Sequence, residues 1–161
     1  MSEAIRLREL LERLVAADVR FVLVGGLAVN AWGYVRGTKD VDIVPDPDAA
    51  NLRRLAQLLV TLGGRLEVEE GRFASGAIHT FLRAGDRTLV STELGQLDVL
   101  QGHPQIPSFD RLDTDAIGVE IGTAIVRVCS LEALLDMKRA STRLRDRDDL
   151  EALEAAHEGD E

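Results

Sequence analysis

One cysteine, four prolines and no apolar stretch long enough to cross a bilayer narrow what this 161-residue chain can be. Cys129 on its own allows no internal disulfide, which fits a reducing cytoplasm, and it reads as a small core side chain in a strand. The longest run free of charge or proline, Phe21 to Val35, is broken by two adjacent glycines, an asparagine and a further glycine, so no membrane span is expected. The opening MSEAIRLREL is charged and lacks the apolar centre of a signal peptide. His79, His103 and His157 show no metal-ligand spacing among themselves, which argues against zinc. Internal repeats, low-complexity tracts and linkers are also missing. Basic residues are outnumbered, 19 against 28 acids, for a net charge of −9. Such a surface repels phosphates at long range and argues against a general nucleic-acid coating protein, while leaving room for a local basic groove.

What is present describes a single domain, 1–161, long enough to bury a core, with 45% hydrophobic and 29% charged residues. Residues 3–17 form an amphipathic helix with Leu7, Leu10, Leu11, Leu14 and Val15 on one side and Ser2 as N-cap. A second covering helix runs from Ala49 through Leu52, Leu55, Leu58-Leu59 and Leu62, and Gly63-Gly64 stops it. Residues 65–100 read as strands joined by tight turns: Arg65 to Glu69, Ala77 to Arg83, a hairpin at Gly85-Asp86 to Thr88–Ser91, then Gln96 to Leu100. Ala116–Ile121 and Ala124–Cys129 flank Gly122-Thr123 as a further hairpin. From about 130 the chain turns helical, with Ser130 as N-cap.

The chain is organised around FVLVGGLAVNAWGYVRGTKDVDIVP, Phe21 to Pro45. A buried strand, Phe21 to Val24, ends at Gly25-Gly26; a helical segment beginning at Leu27 follows, and then the alternating run Asp40-Val41-Asp42-Ile43-Val44. Side chains in a strand point to opposite faces in turn, so Asp40 and Asp42 share a face about 6.5–7 Å apart along the strand. Two carboxylates so placed repel unless they sit at a wet surface or around cations. The spacing suits two Mg²⁺ ions about 3.5–4 Å apart, the arrangement of two-metal phosphoryl transfer. Without Cβ atoms the glycine pair lets the backbone turn sharply and a ligand approach, and a helix start beyond it favours a phosphate. No Gly-x-Gly-x-x-Gly occurs here, so a dinucleotide fold fits poorly, and no Gly-Lys-Ser/Thr follows the glycines, which excludes a P-loop.

Near the C-terminus, Leu131, Leu134 and Leu135 form an inward stripe on which Lys138 also falls. A lysine there either extends its stem to the surface or finds an anion inside. Five basic residues, Lys138, Arg139, Arg143, Arg145 and Arg147, face one acid, Asp146, in a segment of an otherwise acidic chain. On a helix, Arg145 and Asp149 would form an i,i+4 pair worth only about 0.2–0.5 kcal/mol.

The Gly-Gly pair, thirteen residues and then hydrophobic-flanked Asp-x-Asp resemble the signature of the DNA polymerase β-like nucleotidyltransferase superfamily. Arg36, Thr38 and Lys39, just before Asp40 and Asp42, match the Arg-x-Thr-x-Asp-x-Asp form seen in its abortive-infection toxin-type subgroup. The tail KRASTRLRDRDDL is similar to the Lys…Arg-Asp-x-x-Asp-Leu ending of abortive-infection toxin-type members, through Lys138, Arg145, Asp146 and Asp149. The resemblance implies an α/β (mixed α+β) core, a mixed sheet with helices packed on it. It implies an enzyme moving a nucleoside monophosphate from an NTP to RNA, protein or a small molecule such as an antibiotic. Asp40, Asp42 and a third carboxylate would hold two Mg²⁺. That third acid is assigned to Asp98, in the Gln96–Leu100 run, with Glu93 as second choice. Lys138 would neutralise developing charge, and Gly25, Gly26, Arg36, Thr38, Lys39 and Arg145 would bind nucleotide. Many relatives carry Ser where Gly26 stands, so here only backbone donors are available. The base would stack on Trp32 or Tyr34 unless these are core. The runner-up reading is a non-catalytic nucleotide-binding module or the partner of a cognate toxin or antitoxin. A plain acidic scaffold would leave the Asp pair, the glycine turn and Lys138 as coincidences.

Overall fold

The computed structural model describes residues 2–69, 72–74 and 77–158. The described residues form one mixed sheet of eight strands with seven helices. The elements, in chain order, are α1 (Glu3–Ala16), β1 (Phe21–Val24), α2 (Gly25–Ala31), β2 (Asp40–Pro45), α3 (Ala49–Thr61), β3 (Arg65–Glu69) and β4 (Arg72–Ala74). They continue with α4 (Ile78–Ala84), β5 (Thr88–Thr92), β6 (Gly95–Val99), α5 (Phe109–Thr114), β7 (Ile117–Ile121), β8 (Ala124–Val128), α6 (Leu131–Arg139) and α7 (Leu144–Ala156). Strand order across the sheet is β4-β3-β5-β6-β2-β1-β8-β7. Among the described residues no helix is long and apolar enough to cross a membrane.

Central β1 is buried along its whole length, as an apolar run covered on both faces must be. It pairs antiparallel with β2, placing Val24 opposite Asp42, and parallel with β8 through Leu23 and Val128. Strand β2 pairs in parallel with β6, so Asp42 lies directly across from Asp98. On the opposite face of these two strands, Val41, Ile43, Leu97 and Val99 are fully buried. Helix α1 lies against β8, β6, β2 and β7. It buries Leu7, Leu10, Leu11 and Leu14, each worth roughly 1.5–3 kcal/mol. Its Ser2 hydroxyl accepts from the Ile5 N–H, the N-cap expected from the sequence. Asn51, in the first turn of α3, is buried with its amide satisfied. Its Nδ2 donates to the carbonyls of Arg20 and Asp46 at 2.9 and 2.8 Å, pinning the start of β1 to the end of β2.

The structure corrects the expected layout at three places. Residues 77–83 are not a strand: Ile78 to Ala84 is helical, because Ile78 and Leu82, four apart, are the buried pair while Phe81 is largely exposed. Gly85, at φ +79°, therefore caps that helix and turns no hairpin. The hairpin lies one strand later, where Thr92 pairs with Gly95 at φ +121° and its hydroxyl donates to the Gly95 carbonyl at 2.7 Å. Positions 70–71 and 75–76, within the expected run of tight turns, lie outside the described residues. Helix α2 begins at Gly25, two residues before the expected start.

Candidate active site

The antiparallel β1–β2 pair and the parallel β2–β6 pair bring three carboxylates to one patch of the sheet. One oxygen from each of Asp40, Asp42 and Asp98 lies within 4.8 Å of the others, the only such potential metal-holding group among the described residues. They line a cleft of about 500 Å³ that also includes Gly25, Gly26, Arg36 and Lys138. Glu93 is excluded from the cluster. It sits exposed in the β5–β6 turn beside Gly63, at the far end of β6 from Asp98.

The glycine pair is required by clearance. A Cβ on Gly25, whose φ is +69°, would stand 1.9 Å from Asp42 Oδ2, and one on Gly26 would stand 2.7 Å from Thr38 Oγ1 and 3.2 Å from Arg36 Nη1. The sharp turn out of β1 thus lets Asp42 and the 36–38 loop close on the backbone. Seven-residue α2 is too short to carry much of a dipole, so room for the neighbouring side chains is what the pair contributes.

Mutual repulsion is written into the acids. Burial, and then the neighbouring Asp40 and Asp98, push the Asp42 carboxyl up to about 7. Asp40 is raised as well, by burial first and by Asp98 second, against the pull of Arg87 and Arg145. Three hard oxygen donors that repel one another in a wet cleft suit a divalent cation such as Mg²⁺ or Mn²⁺, and the donor set fits no soft metal.

A second cluster forms the cationic wall. Lys138, only 7% exposed, does not snorkel. Its Nζ lies 2.6 Å from Asp146 Oδ1 and 3.0 Å from Asp149 Oδ2. Asp149, fully buried, accepts a two-pronged bond from Arg36 as well, Nε at 2.7 Å and Nη2 at 2.8 Å. Asp146 accepts further bonds from Arg143 Nε at 2.7 Å and from the Ser141 hydroxyl at 2.5 Å. Burial alone would raise Asp146, but hydrogen bonds from Arg143, Lys138 and Ser141 hold it at about 2. Three cations and two carboxylates leave this cluster with one net positive charge beside the acidic patch. The expected Arg145–Asp149 helix pair does not form. Asp149 turns inward, and Arg145 Nη2 donates instead to the Gly37 carbonyl at 3.0 Å. Together these bonds tie α6, α7 and the 36–38 loop into one wall.

Of the remaining sequence candidates, Thr38 lines the cleft and donates to the Asp40 carbonyl at 3.3 Å. Lys39 is exposed and does not line the cleft. Trp32 and Tyr34 do not line it either. The Trp32 indole donates to the Cys129 carbonyl at 2.9 Å and meets the His157 ring edge-on, so it serves the core. Arg87 was missed. Its guanidinium grips Asp98 with Nε at 3.0 Å and Nη2 at 2.6 Å. It sits just past the supposed hairpin tip, and no periodicity marks it. Arg143 and Ser141 were missed as partners of Asp146, although the local excess of basic residues pointed to the segment.

No family model and no curated protein matches the sequence. Solved structures do. The lincosamide antibiotic adenylyltransferase LnuA, solved with lincomycin bound, superposes with a TM-score of 0.64 at 19% identity, covering 94% of this chain and 96% of its own. ANT(2")-Ia, solved in complex with adenylyl-2"-tobramycin, gives 0.60 at 14% identity over 95% and 90% of the two chains. An antigenic nucleotidyltransferase-like protein from Paracoccidioides brasiliensis gives 0.62 at 20% identity over 94% and 74%. These likenesses show the fold: the chain shares the architecture of these nucleotidyltransferase structures.

Proposed function

We propose that this protein transfers a nucleoside monophosphate from an NTP to a hydroxyl acceptor and releases pyrophosphate. The observation that carries the reading is the convergence of Asp40, Asp42 and Asp98 within 4.8 Å beside a glycine turn that a Cβ would block. Asp40 and Asp42 would hold two divalent cations, and Asp98 would complete one coordination shell. Held there, such ions would supply Lewis-acid charge that offsets the negative charge of a phosphoryl transfer.

The chain's own groups do the rest. Gly25 and Gly26 let Asp42, Thr38 and Arg36 close on the turn and so set these groups at the edge of the cleft that would take the phosphates. Lys138 and Arg36, fixed in place by Asp146 and Asp149, face the growing negative charge without having to reorganise. Thr38 steadies the backbone at Asp40. The acceptor oxygen attacks the α-phosphorus, the bond to pyrophosphate breaks opposite it, and the acceptor's proton passes to Asp98. No protein nucleophile is needed, because in-line displacement rests on positioning and charge compensation.

Two observations favour a small-molecule acceptor. The likeness to LnuA spans nearly the whole of both chains. The cleft lining also includes the apolar Leu100, Ile106 and Met137, suited to a partly apolar ligand. A toxin-like transfer to RNA or protein is the second reading, favoured by Arg143 and Arg145, exposed residues that line the cleft of an otherwise acidic chain. A cognate partner protein belongs to that reading.

The test is incubation with each NTP labelled at the α-phosphate, Mg²⁺ or Mn²⁺, and three acceptor pools: hydroxylated antibiotics, total cell RNA and total cell protein. Label moving to one pool, with pyrophosphate released and both lost in Asp42→Asn, supports the reading. Nucleotide binding without pyrophosphate release from any pool would identify a non-catalytic module. Binding to RNA that weakens steeply with salt would favour the second reading.

A further inference from the structure

Arg87 has no part in the reaction as set out above, yet it makes the most direct contact with the acidic cluster. Its fork holds both oxygens of Asp98, which is only 4% exposed, while 61% of the arginine side chain remains exposed. No side chain among the described residues donates a hydrogen bond to the carboxylates of Asp40 or Asp42. The backbone under Arg87 is fixed: the Asp86 carbonyl accepts from the Thr88 hydroxyl at 3.1 Å and from Gln101 Nε2 at 3.4 Å. The guanidinium is thus the movable end of an anchored stem, half in solvent, with the charges of Asp40 and Asp42 also acting on it.

We propose that Arg87 is a resident cation of the third carboxylate, displaced from Asp98 when a divalent ion binds and then free to bind a phosphate of the nucleotide. The inference rests on the functional reading above and adds a residue to it. The physical reason is competition. The oxygens of Asp98 keep lone pairs beside the guanidinium, as Asp149 shows by accepting both the Arg36 fork and Lys138, but an ion shared with Asp40 and Asp42 would put a second cation against the same buried carboxylate, and the two like charges repel. Without an ion, Arg87 offsets part of the repulsion among three acids packed within 4.8 Å. Once divalent charge enters, the same electrostatics reverse and push the arginine away. Arg87 lines the same cleft, and a triphosphate bound there would offer it oxygens that match the guanidinium fork as a carboxylate does. Arg87 thereby links ion binding to nucleotide binding. It also makes Asp98 available for the acceptor's proton only when the ion is in place.

The test needs no turnover. Mn²⁺ binding to the nucleotide-free protein is measured by calorimetry and by loss of the free-ion electron paramagnetic signal, in wild type, Arg87→Ala and Arg87→Lys, with circular dichroism to check folding. Arg87→Ala is expected to bind Mn²⁺ about tenfold more tightly, the scale of one charge-assisted hydrogen bond removed from the competition. Arg87→Lys should fall between, since lysine keeps the charge but not the fork. With Mn²⁺ saturating, a non-hydrolysable α,β-methylene NTP should bind Arg87→Ala about tenfold more weakly than wild type. Equal Mn²⁺ affinity in wild type and Arg87→Ala would overturn the exchange while leaving the metal site standing. Mn²⁺ binding to neither would overturn both. Tighter Mn²⁺ with unchanged analogue affinity would overturn the phosphate-binding half.

Discussion

Asp42 has the most demanding position of any single residue. It faces Gly25 across a gap no Cβ could occupy, lies opposite Asp98 in the next strand, and has its carboxyl pushed up to about 7 by burial and by Asp40 and Asp98. Asp42→Asn keeps the shape and removes the charge. It is expected to lower NMP transfer by roughly 10²–10³-fold, the scale for removing a positioned electrostatic group, as read in the labelling assay. The same substitution should raise the melting temperature of the metal-free protein at neutral pH, because it relieves a buried like-charge contact. Gly25→Ala belongs beside it. With φ at +69° and Asp42 Oδ2 at 1.9 Å from the new carbon, the turn or the carboxylate must move. Mn²⁺ binding measured by calorimetry should then be lost or sharply weakened.

Among the elements, α7 is held to the rest of the molecule by charge as well as by Leu153 packing. Its Asp149, fully buried, is the shared acceptor of Arg36 from the loop before β2 and Lys138 from α6. Removing one member of such a group leaves two buried cations undercompensated. Asp149→Ala is therefore expected to cost about 3–5 kcal/mol in urea unfolding, far more than an exposed helix ion pair. Nucleotide affinity should fall with it, since Arg36 and Lys138 lose the carboxylate that aims them. The exposed pair Arg139–Glu154, bridging the same two helices at 3.2 Å, is the control: Glu154→Ala should change stability by less than about 1 kcal/mol.

For the whole molecule, the two acidic groups that depart furthest from the ordinary range give a pH signature with separable windows. Asp42 is raised from 3.8 to about 7, so its contribution is full below about 3.8 and is lost as pH climbs through about 7. Asp146 is lowered from 3.8 to about 2, so its contribution is full above about 3.8 and is lost as pH falls through about 2. Metal-free protein should therefore melt at a lower temperature near pH 8 than near pH 5, and lose stability again below about pH 3. A saturating divalent ion should raise the melting temperature more at about pH 8 than at about pH 5, because at the lower pH it must displace a proton from Asp42. Asp42→Asn should flatten the upper part of that profile in scanning calorimetry.

Local pattern was enough for much of what depends on neighbours in the chain. Period-two alternation put Asp40 and Asp42 on one strand face and apolar spacing located α1 and α3, while the Gly-Gly bend before Asp-x-Asp carried the fold only through its resemblance to a known superfamily. In the stretch 78–84 the same method failed, since seven residues with two apolar positions four apart fit either period until burial selects one. The pairing of β2 with β6 decided that Asp98, and not Glu93, joins the cluster, because register between strands far apart in sequence leaves no local trace. Long-range closure likewise decided the partners of the charged residues. Asp149 meets Arg36 across 113 positions, and Arg87 meets Asp98 across a turn and two strands. A charged side chain has a type that can be read along the chain, but its partner is whatever the folded chain brings within about 3 Å, and that distance is set only when the sheet and the last two helices close.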